Sequence, residues 1–259
     1  MIELRDVTQH YGVRPVVRSV SLRIERGELA VILGPNGMGK STLLGVMAGV
    51  LSPQHGSVVI DGLVRKRDPE EELAIRRRCV YLPDSLWMPE QLTGREYLLA
   101  VGRLYDVDAE RVMEHADQLL DLFDLKEKGE SPISGYSTGQ KKKVGLCGAL
   151  ITEAPILLLD EPFSGGLDPA GLLTLKKVFQ HHARRKNLTI VMTSPVPELV
   201  EEIATRIVIL KDGSILAQGS LDDLQRLTQC RGSLGDVLER LIFPETTRKL
   251  AEYFQEFPR

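Results

Sequence analysis

The sequence has few of the features on which small secreted proteins and membrane-spanning chains depend. It contains only three cysteines, which are odd in number, far apart and set in apolar surroundings, so they indicate buried reduced thiols in a cytosolic protein. The longest apolar runs, such as Ile156–Leu159 and 207–210, are far too short to cross a bilayer, and the N-terminus lacks a signal-peptide pattern. Any role at a membrane therefore requires another chain to supply the span.

The charge balance also excludes a class of partner. The 259 residues carry a formal net charge of −3, with 42% hydrophobic and 27% charged residues, which is typical of a globular protein large enough to bury its own core. A negative net charge gives no electrostatic reason to expect a nucleic acid or an anionic membrane surface as partner. We therefore expect no nucleic-acid binding.

A glycine-rich segment, GPNGMGKST at residues 34–42, directly follows the apolar run Leu29–Leu33. Such a turn between a buried strand and a helix N-terminus directs several backbone N–H groups at one point, where the helix dipole adds positive potential. The pattern predicts a phosphate site in which Lys40 reaches the β- and γ-phosphates and Ser41 places its hydroxyl on a Mg²⁺ ion. The alternative is an ordinary strand-to-helix turn.

Two adjacent carboxylates, Asp160 and Glu161, follow the apolar run Ile156–Leu159. Together with a phosphate loop elsewhere in the chain, they predict that Asp160 holds the water shell of the Mg²⁺ ion and that Glu161 acts as base toward the attacking water. Without that loop, a helix cap or a surface acid pair would explain them equally well.

The order of patterns along the chain predicts an α/β fold. Alternating apolar and polar residues at 2–7 and 20–24 indicate an N-terminal antiparallel β layer. Later strand and helix patterns alternate, which indicates a doubly wound, mainly parallel sheet with nucleotide at the carboxyl ends of its strands. Together with the glycine-rich segment, this order resembles a P-loop NTPase (RecA-like) core. Residues 91–150 show helical spacing and no strand candidate, so they predict an inserted α-helical subdomain.

These patterns divide the chain into three parts. The predicted ATP-binding core comprises 1–84 and 152–219, the helical insertion 85–151, and a C-terminal helical tail 220–259. The tail contains two amphipathic helix patterns, each preceded by a capping serine. Packing of the tail against the main domain is favoured over its use as a docking face for a partner.

The motifs resemble a known family when they are taken together. GPNGMGKST, then YSTGQKKK at 136–143, ILLLDEP at 156–162 and a turn at 167–169 occur in this order with a helical insertion before the second motif. This combination resembles the ATP-binding subunits of ABC transporters over about residues 2–220, and it is more specific than any single motif. The segment 92–98 resembles the insertion of drug and lipid exporters whose membrane subunit is a separate chain.

The resemblance implies ATP and Mg²⁺ as ligands and assigns roles to particular positions. Tyr11 resembles the aromatic residue that stacks on adenine, although it could instead brace the first hairpin. Glu161 corresponds to the catalytic glutamate, and Ser41 and Asp160 correspond to the Mg²⁺ residues. The residues that match the phosphate site are Gly34, Asn36, Gly37, Gly39, Lys40, Ser41 and Thr42.

Ser137, Gly139 and Gln140 match the signature motif, which in such proteins covers the γ-phosphate of the ATP held by the opposite subunit. A hydroxyl, a bare N–H and a helix N-terminus suit that role, although STGQ alone is more typical of a helix cap. One chain alone could then not form a complete ATP site. Two subunits, identical or different, would enclose two ATP molecules between them. We expect the lysines at 141–143 to form a solvated helix face.

Some positions depart from the family pattern. Tyr136 and Thr138 replace the usual leucine and glycine of the signature, which alters detail only. Asp84 stands where the family usually has a glutamine that contacts Mg²⁺, and it can still meet the cation through water. The loop at 163–167 is one residue longer than usual, so the cross-dimer contact of Asp168 is left open.

The largest departure is Pro195, which replaces a histidine that contacts the γ-phosphate in such proteins. Proline has neither a side-chain donor nor an N–H, and His181 and His182 on the preceding helix pattern are no obvious substitute. Loss of a contact that stabilises charge on the transferred phosphoryl group slows hydrolysis. We therefore expect slow basal hydrolysis, with ATP binding and dimerisation retained.

The expected function is that of an ATP-hydrolysing subunit that powers export through a separate transmembrane permease, at the cytoplasmic face of the plasma membrane. Two alternatives remain. One is a soluble ABC-type ATPase that acts on DNA or ribosomes, and the other is a module in which ATP acts as a clamp without appreciable turnover. The translocated substrate is not predicted, because in this family the membrane chain recognises it.

Overall fold

The computed structural model describes residues 1–186, 188–243, 249 and 252–253. Within these residues the strands are β1 (Ile2–His10), β2 (Pro15–Ile24), β3 (Leu29–Leu33), β4 (His55–Ile60), β5 (Leu63–Val64), β6 (Cys79–Leu82), β7 (Ile156–Leu159), β8 (Thr189–Thr193), β9 (Arg206–Lys211) and β10 (Ser214–Gly219). The helices are α1 (Lys40–Ala48), α2 (Pro69–Arg76), α3 (Gly94–Leu104), α4 (Ala109–Leu122), α5 (Thr138–Ile151), α6 (Pro169–Arg185), α7 (Pro197–Ile203), α8 (Leu221–Thr228) and α9 (Leu234–Ile242).

The strands form two sheets. The smaller sheet is antiparallel and has the order β2-β1-β4-β5. The larger sheet has the order β10-β9-β3-β8-β7-β6 and is parallel except for the pairing of β9 with β10. The predicted α/β class, with a mainly parallel sheet and an N-terminal antiparallel layer, is confirmed. Because β8 lies between β3 and β7, its carboxyl end borders both strands that precede the phosphate and carboxylate motifs.

Strand β3 is buried along its whole length, and its alternate residues enter two apolar clusters. Leu29, Val31 and Leu33 belong to the cluster that includes the inserted helices. Ala30 and Ile32 belong to the second cluster, with α1 and the antiparallel sheet. Successive side chains of a strand point to opposite faces. A continuous apolar run is therefore what a central strand covered on both faces requires.

The predicted helical insertion consists mainly of α3, α4 and α5. Leu98 of α3, Leu120 of α4 and Val144 of α5 lie in the same cluster as the central strands, so the insertion packs against the large sheet. The prediction of a solvated lysine face at the start of α5 is wrong for Lys142 and Lys143, which are only 3% and 5% exposed. The residues of α5 that follow these lysines are apolar on all sides of the helix, and nearly all of them are buried. The helix beyond its start therefore lies in the interior, and the two lysines lie there with it.

The described part of the C-terminal tail packs against the main domain, as the sequence favoured. Leu224 of α8, with Leu234 and Val237 of α9, lies in the apolar cluster of the large sheet. The prediction for the tail beyond α9 falls largely on residues outside those described. The three cysteines are buried and form no disulfide. Among the described helices, none is long and apolar enough to cross a membrane.

Candidate functional site

The loop between β3 and α1 has a backbone that only glycine adopts easily. Gly37 and Gly39 have φ angles of 78° and 94°, in the left-handed region that is open to glycine at no steric cost. A Cβ on Gly39 would lie 2.6 Å from the carbonyl oxygen of Val16, so the loop packs directly on the start of β2. Gly39 caps α1 without a side-chain hydrogen bond. The first N–H groups of that helix therefore remain available to an anion.

Lys40 is folded over this loop. Its Nζ donates hydrogen bonds to the carbonyl oxygens of Gly34 at 2.8 Å and Pro35 at 3.0 Å, and the residue is 6% exposed. Burial lowers the pKa of the ammonium group, against the opposing charges of Glu161 and Asp160. The direct hydrogen bonds of this buried cation go only to neutral carbonyls, and the two carboxylates do not fully offset its burial. A phosphate placed in the loop would give it a directly bonded counter-charge.

Ser41 and Asp160 converge from the two predicted motifs. Ser41 Oγ lies 3.1 Å from Asp160 Oδ1, and Asp160, which follows β7, is 5% exposed. Hydroxyl and carboxylate oxygens suit Mg²⁺, which usually takes one or two protein ligands together with waters and substrate phosphates. Among the described residues no group of three or more His, Cys, Asp or Glu side chains could hold a metal by itself. The donor set therefore fits an ion that arrives with the nucleotide.

Thr193 at the end of β8 holds both carboxylate residues. Its Oγ1 donates to Asp160 Oδ1 at 2.6 Å and accepts from the N–H of Glu161 at 2.8 Å. Glu161 has a φ of 45°, a strained conformation for a residue with a side chain, which persists only where neighbouring contacts determine it. Sequence reasoning missed Thr193, because its role depends on β8 lying between β3 and β7, which no local pattern reveals.

Tyr11 and the exposed end of the phosphate loop are accessible to a ligand. Tyr11 follows β1 and is 65% exposed, and the chain after it leads into β2, where Val16 contacts Gly39. Asn36 is exposed and Thr42 is half-buried in the first turn of α1. Stacking of Tyr11 on adenine remains a prediction.

The signature segment forms a capping box at the start of α5. Ser137 Oγ accepts from the N–H of Gln140 at 3.2 Å, and Gln140 Oε1 accepts from the N–H of Ser137 at 2.9 Å. A Cβ on Gly139 would lie 2.4 Å from the carbonyl oxygen of Gly166, so the signature packs on the loop that follows Glu161. Within one chain the segment therefore acts as a helix cap, which was the alternative interpretation. Its contact with the ATP of a second subunit remains a prediction.

Two buried lysines pair with Asp84, which was expected to meet Mg²⁺, and with Asp168, whose contact was left open. Lys142 Nζ lies 3.3 Å from Asp84 Oδ1, and Lys143 Nζ lies 2.9 Å from Asp168 Oδ2. Asp168 also caps α6 by accepting from the N–H of Gly171 at 2.7 Å. The hydrogen bond from Lys143, followed by that from Gly171, lowers the pKa of Asp168.

The hydrogen bonds of Asp84 go to residues other than the expected metal residues. Among the described residues no hydrogen bond joins Asp84 to Ser41 or Asp160, and its Oδ1 instead accepts from Lys142 and from Ser164 Oγ at 3.0 Å. Direct or water-mediated contact of Asp84 with Mg²⁺ remains a prediction. The apolar sequence of α5 was a signal that these lysines are buried and need carboxylate partners, although it does not say which ones.

A phosphate loop with a buried lysine, facing an aspartate and a glutamate at the end of a neighbouring strand, defines a nucleotide-hydrolysing P-loop protein. The family model described as ABC transporter matches residues 17–164, which is more than half of the chain. The chain belongs to the ABC transporter ATP-binding family. The chain therefore binds ATP and is an ATPase of that class.

Individual relatives cover most of the chain. It is 34% identical over 229 residues to the daunorubicin resistance ATP-binding protein DrrA3 of Streptomyces coeruleorubidus, which spans 88% of this chain and 70% of that protein. The solved ATP-binding subunit of an ABC transporter has a TM-score of 0.86 at 29% identity, over 93% of this chain and 99% of the other. A dimeric ATP-binding cassette in a post-hydrolysis state with ADP and Pi has a TM-score of 0.77 at 26% identity, over 85% and 99%.

Proposed function

We propose that two subunits of this ABC transporter ATPase close around two ATP molecules, that hydrolysis reopens them, and that the cycle drives export through a separate transmembrane permease. The observation that carries the proposal is that Ser41 and Thr193 both hydrogen-bond to Asp160, while Thr193 also accepts the N–H of Glu161. It brings the phosphate loop and the catalytic carboxylate to one edge of the sheet. The permease would hold the chain at the cytoplasmic face of the membrane.

The chain's own groups divide the work of hydrolysis. Lys40 exchanges its carbonyl partners for the β- and γ-phosphates, and the N–H groups at the start of α1 bind the same phosphates. Ser41 and Asp160 would hold Mg²⁺, with Asp84 contacting it through water, and the ion would neutralise charge that develops on the phosphates. Glu161 orients the attacking water and takes its proton. The Glu161 backbone stays in place through Thr193.

Dimer closure is proposed because the segment 137–140 resembles a signature that covers the γ-phosphate of the ATP held by an opposite subunit. Ser137 is exposed at the start of α5, where its hydroxyl and the helix N-terminus suit a phosphate from a second subunit. A dimeric relative bound to ADP and Pi shows that such cassettes pair. Two copies of this chain, or this chain with a different ATPase, would satisfy the geometry.

Export is the proposed direction of transport. The segment 92–98 resembles the insertion of drug and lipid exporters, and the name of one relative describes drug resistance. Co-purification from the native membrane tests the assembly. We expect the protein to be recovered with a multi-spanning partner, and a protein that stays wholly unassociated with that membrane would contradict the transport role.

A clamp without turnover is a second candidate, favoured by the exposed Pro195 after β8, where no side chain can donate to a γ-phosphate. Single-turnover hydrolysis by the wild type and Glu161→Gln separates the two. An enzyme should lose about a hundred-fold or more in rate when its base is removed. Equal and negligible ATP loss in both proteins would favour the clamp.

A further inference from the structure

Lys142 is a buried cation about one turn into α5, which is called the signature helix below because the signature segment begins it. Its side chain is 3% exposed, and its ammonium group pairs with Asp84, whose side chain is 53% exposed. A buried charge is costly unless it is paired, and removal of its partner leaves that charge uncompensated. The position of Asp84 is therefore set by α5, although Asp84 lies after β6, at an edge of the large sheet.

Asp84 is connected in turn to the residue expected to act as base. Ser164 Oγ lies 3.0 Å from Asp84 Oδ1 and 2.8 Å from the carbonyl oxygen of Glu161. A hydroxyl has one proton, so Ser164 shares or alternates this donor between the two acceptors. The N–H of Ser164 also donates to the Glu161 carbonyl at 3.0 Å. The segment after Glu161 is thereby tied to both Glu161 and Asp84.

The backbone of Glu161 depends on such contacts. Its φ of 45° is unfavourable for a residue with a side chain. Thr193 holds its N–H and Ser164 holds its carbonyl oxygen. A change in the position of Ser164 would therefore rotate the Glu161 carboxylate relative to a bound phosphate, and small misplacements of a catalytic group reduce rate strongly.

We infer that Lys142, Asp84 and Ser164 form a positioning link between the signature helix and Glu161. The link rests on the proposed function, in which the signature of one subunit contacts the ATP held by the other. Contact at Ser137 shifts or steadies α5, Lys142 carries that change to Asp84, and Ser164 carries it to Glu161. Occupancy of one ATP site thereby sets the geometry of the base in the other.

The test compares Ser164→Ala and Lys142→Met with wild type at saturating Mg²⁺ and ATP. We expect kcat to fall about ten-fold in both variants while the KM for ATP and the Kd of ATP stay within about two-fold, since the phosphate loop is untouched. Ser164→Thr keeps the hydroxyl and should retain most of the wild-type kcat. Ser164 is partly exposed, so this arm does not depend on the fold tolerating a change at Lys142.

Two controls separate the link from a general loss of charge or stability. Lys143→Met removes a similarly buried ammonium group, whose partner is Asp168. It should lower the melting temperature as much as Lys142→Met does, but it should reduce kcat less. Lys141→Met removes a charge from the same turn whose partner is Glu90 at the surface, and should leave kcat within about two-fold of wild type.

Three results would overturn the inference. Ser164→Ala with wild-type kcat would show that the hydroxyl does not position Glu161. If kcat falls no more in Lys142→Met than in Lys143→Met, the pair of Lys142 and Asp84 is only a structural contact. A higher Mg²⁺ requirement in either variant, with wild-type kcat once Mg²⁺ is saturating, would show that Asp84 acts on the metal alone. In each case wild-type ATP hydrolysis persists, whereas wild-type protein that binds no ATP would overturn the proposed function itself.

Discussion

Thr193 Oγ1 lies 2.6 Å from Asp160 Oδ1 and donates its proton to it. The same oxygen accepts the N–H of Glu161, so a single hydroxyl connects a carboxylate suited to Mg²⁺ with the backbone of the residue suited to be the base. Thr193 is fully buried. Asp160 also accepts from Ser41, but among the described residues only the Thr193 hydroxyl contacts both of these groups.

Thr193→Val keeps the shape of the side chain and removes this hydroxyl. We expect kcat to fall about ten-fold, because both Glu161 and Asp160 lose the contact that orients them. We also expect a loss of about 1–3 kcal/mol in the free energy of unfolding, because a buried N–H is left without a partner. Thr193→Ser restores the donor and should recover both quantities. Steady-state kinetics and denaturant unfolding measure them, and a fully active valine variant would contradict the assignment.

Lys40→Met should separate stability from ligand binding. The Lys40 ammonium is buried and its pKa is lowered by that burial, so methionine should leave the melting temperature of the nucleotide-free protein unchanged or higher. ATP should stabilise the wild type by about 2.7 kcal/mol at about 100 times its Kd, and that stabilisation should vanish in the variant. Thermal melts with and without ATP measure both effects. A retained ATP-dependent shift would show that Lys40 does not bind the phosphates.

The features that could be predicted from sequence are those in which neighbouring residues decide the outcome. The run Leu29–Leu33 became β3 with its expected bounds. The closely spaced glycines of the phosphate loop indicate a backbone with positive φ angles, which Gly37 and Gly39 adopt. Local patterns of this kind do not depend on which elements become neighbours in space.

The features that could not be predicted depend on strand order and on burial. Thr193 meets Asp160 because β8 separates β3 from β7, which is a property of the whole sheet. Lys142 and Lys143 resembled a solvated charge run because their carboxylate partners lie 58 and 25 residues away in the chain. The helix that follows them is apolar on every side, which argued for burial, but it does not identify the partners.

Pro195→His tests whether the missing donor limits hydrolysis. Pro195 is exposed immediately beyond the end of β8, so an imidazole there has room to reach a phosphate. We expect the basal ATPase rate to rise about ten-fold or more, because a donor to the transferred group stabilises charge in the transition state. Pro195→Ala controls for release of the proline constraint and should leave the rate near wild type. An unchanged rate in the histidine variant, at a level ordinary for the family, would contradict slow basal turnover.

Asp168→Asn tests the pair that anchors α6 to the signature helix. Lys143 and then the N–H of Gly171 lower the pKa of Asp168 from its ordinary 3.8. A depressed folded-state pKa contributes stability that is present above 3.8 and is lost as the pH falls below that value toward the folded pKa. Asparagine retains the cap and cannot titrate.

The wild type should therefore exceed Asp168→Asn in stability by a constant margin at neutral pH, and that margin should shrink once the pH falls below 3.8. Urea unfolding of both proteins between neutral and acidic pH gives this difference in the free energy of unfolding. The contributions of the other titrating groups cancel in it, because both proteins contain those groups. A margin that grows with acidity would mean that Asp168 gains its proton more readily when folded. That result would contradict the contact with Lys143, because a neighbouring cation favours the charged form of a carboxylate.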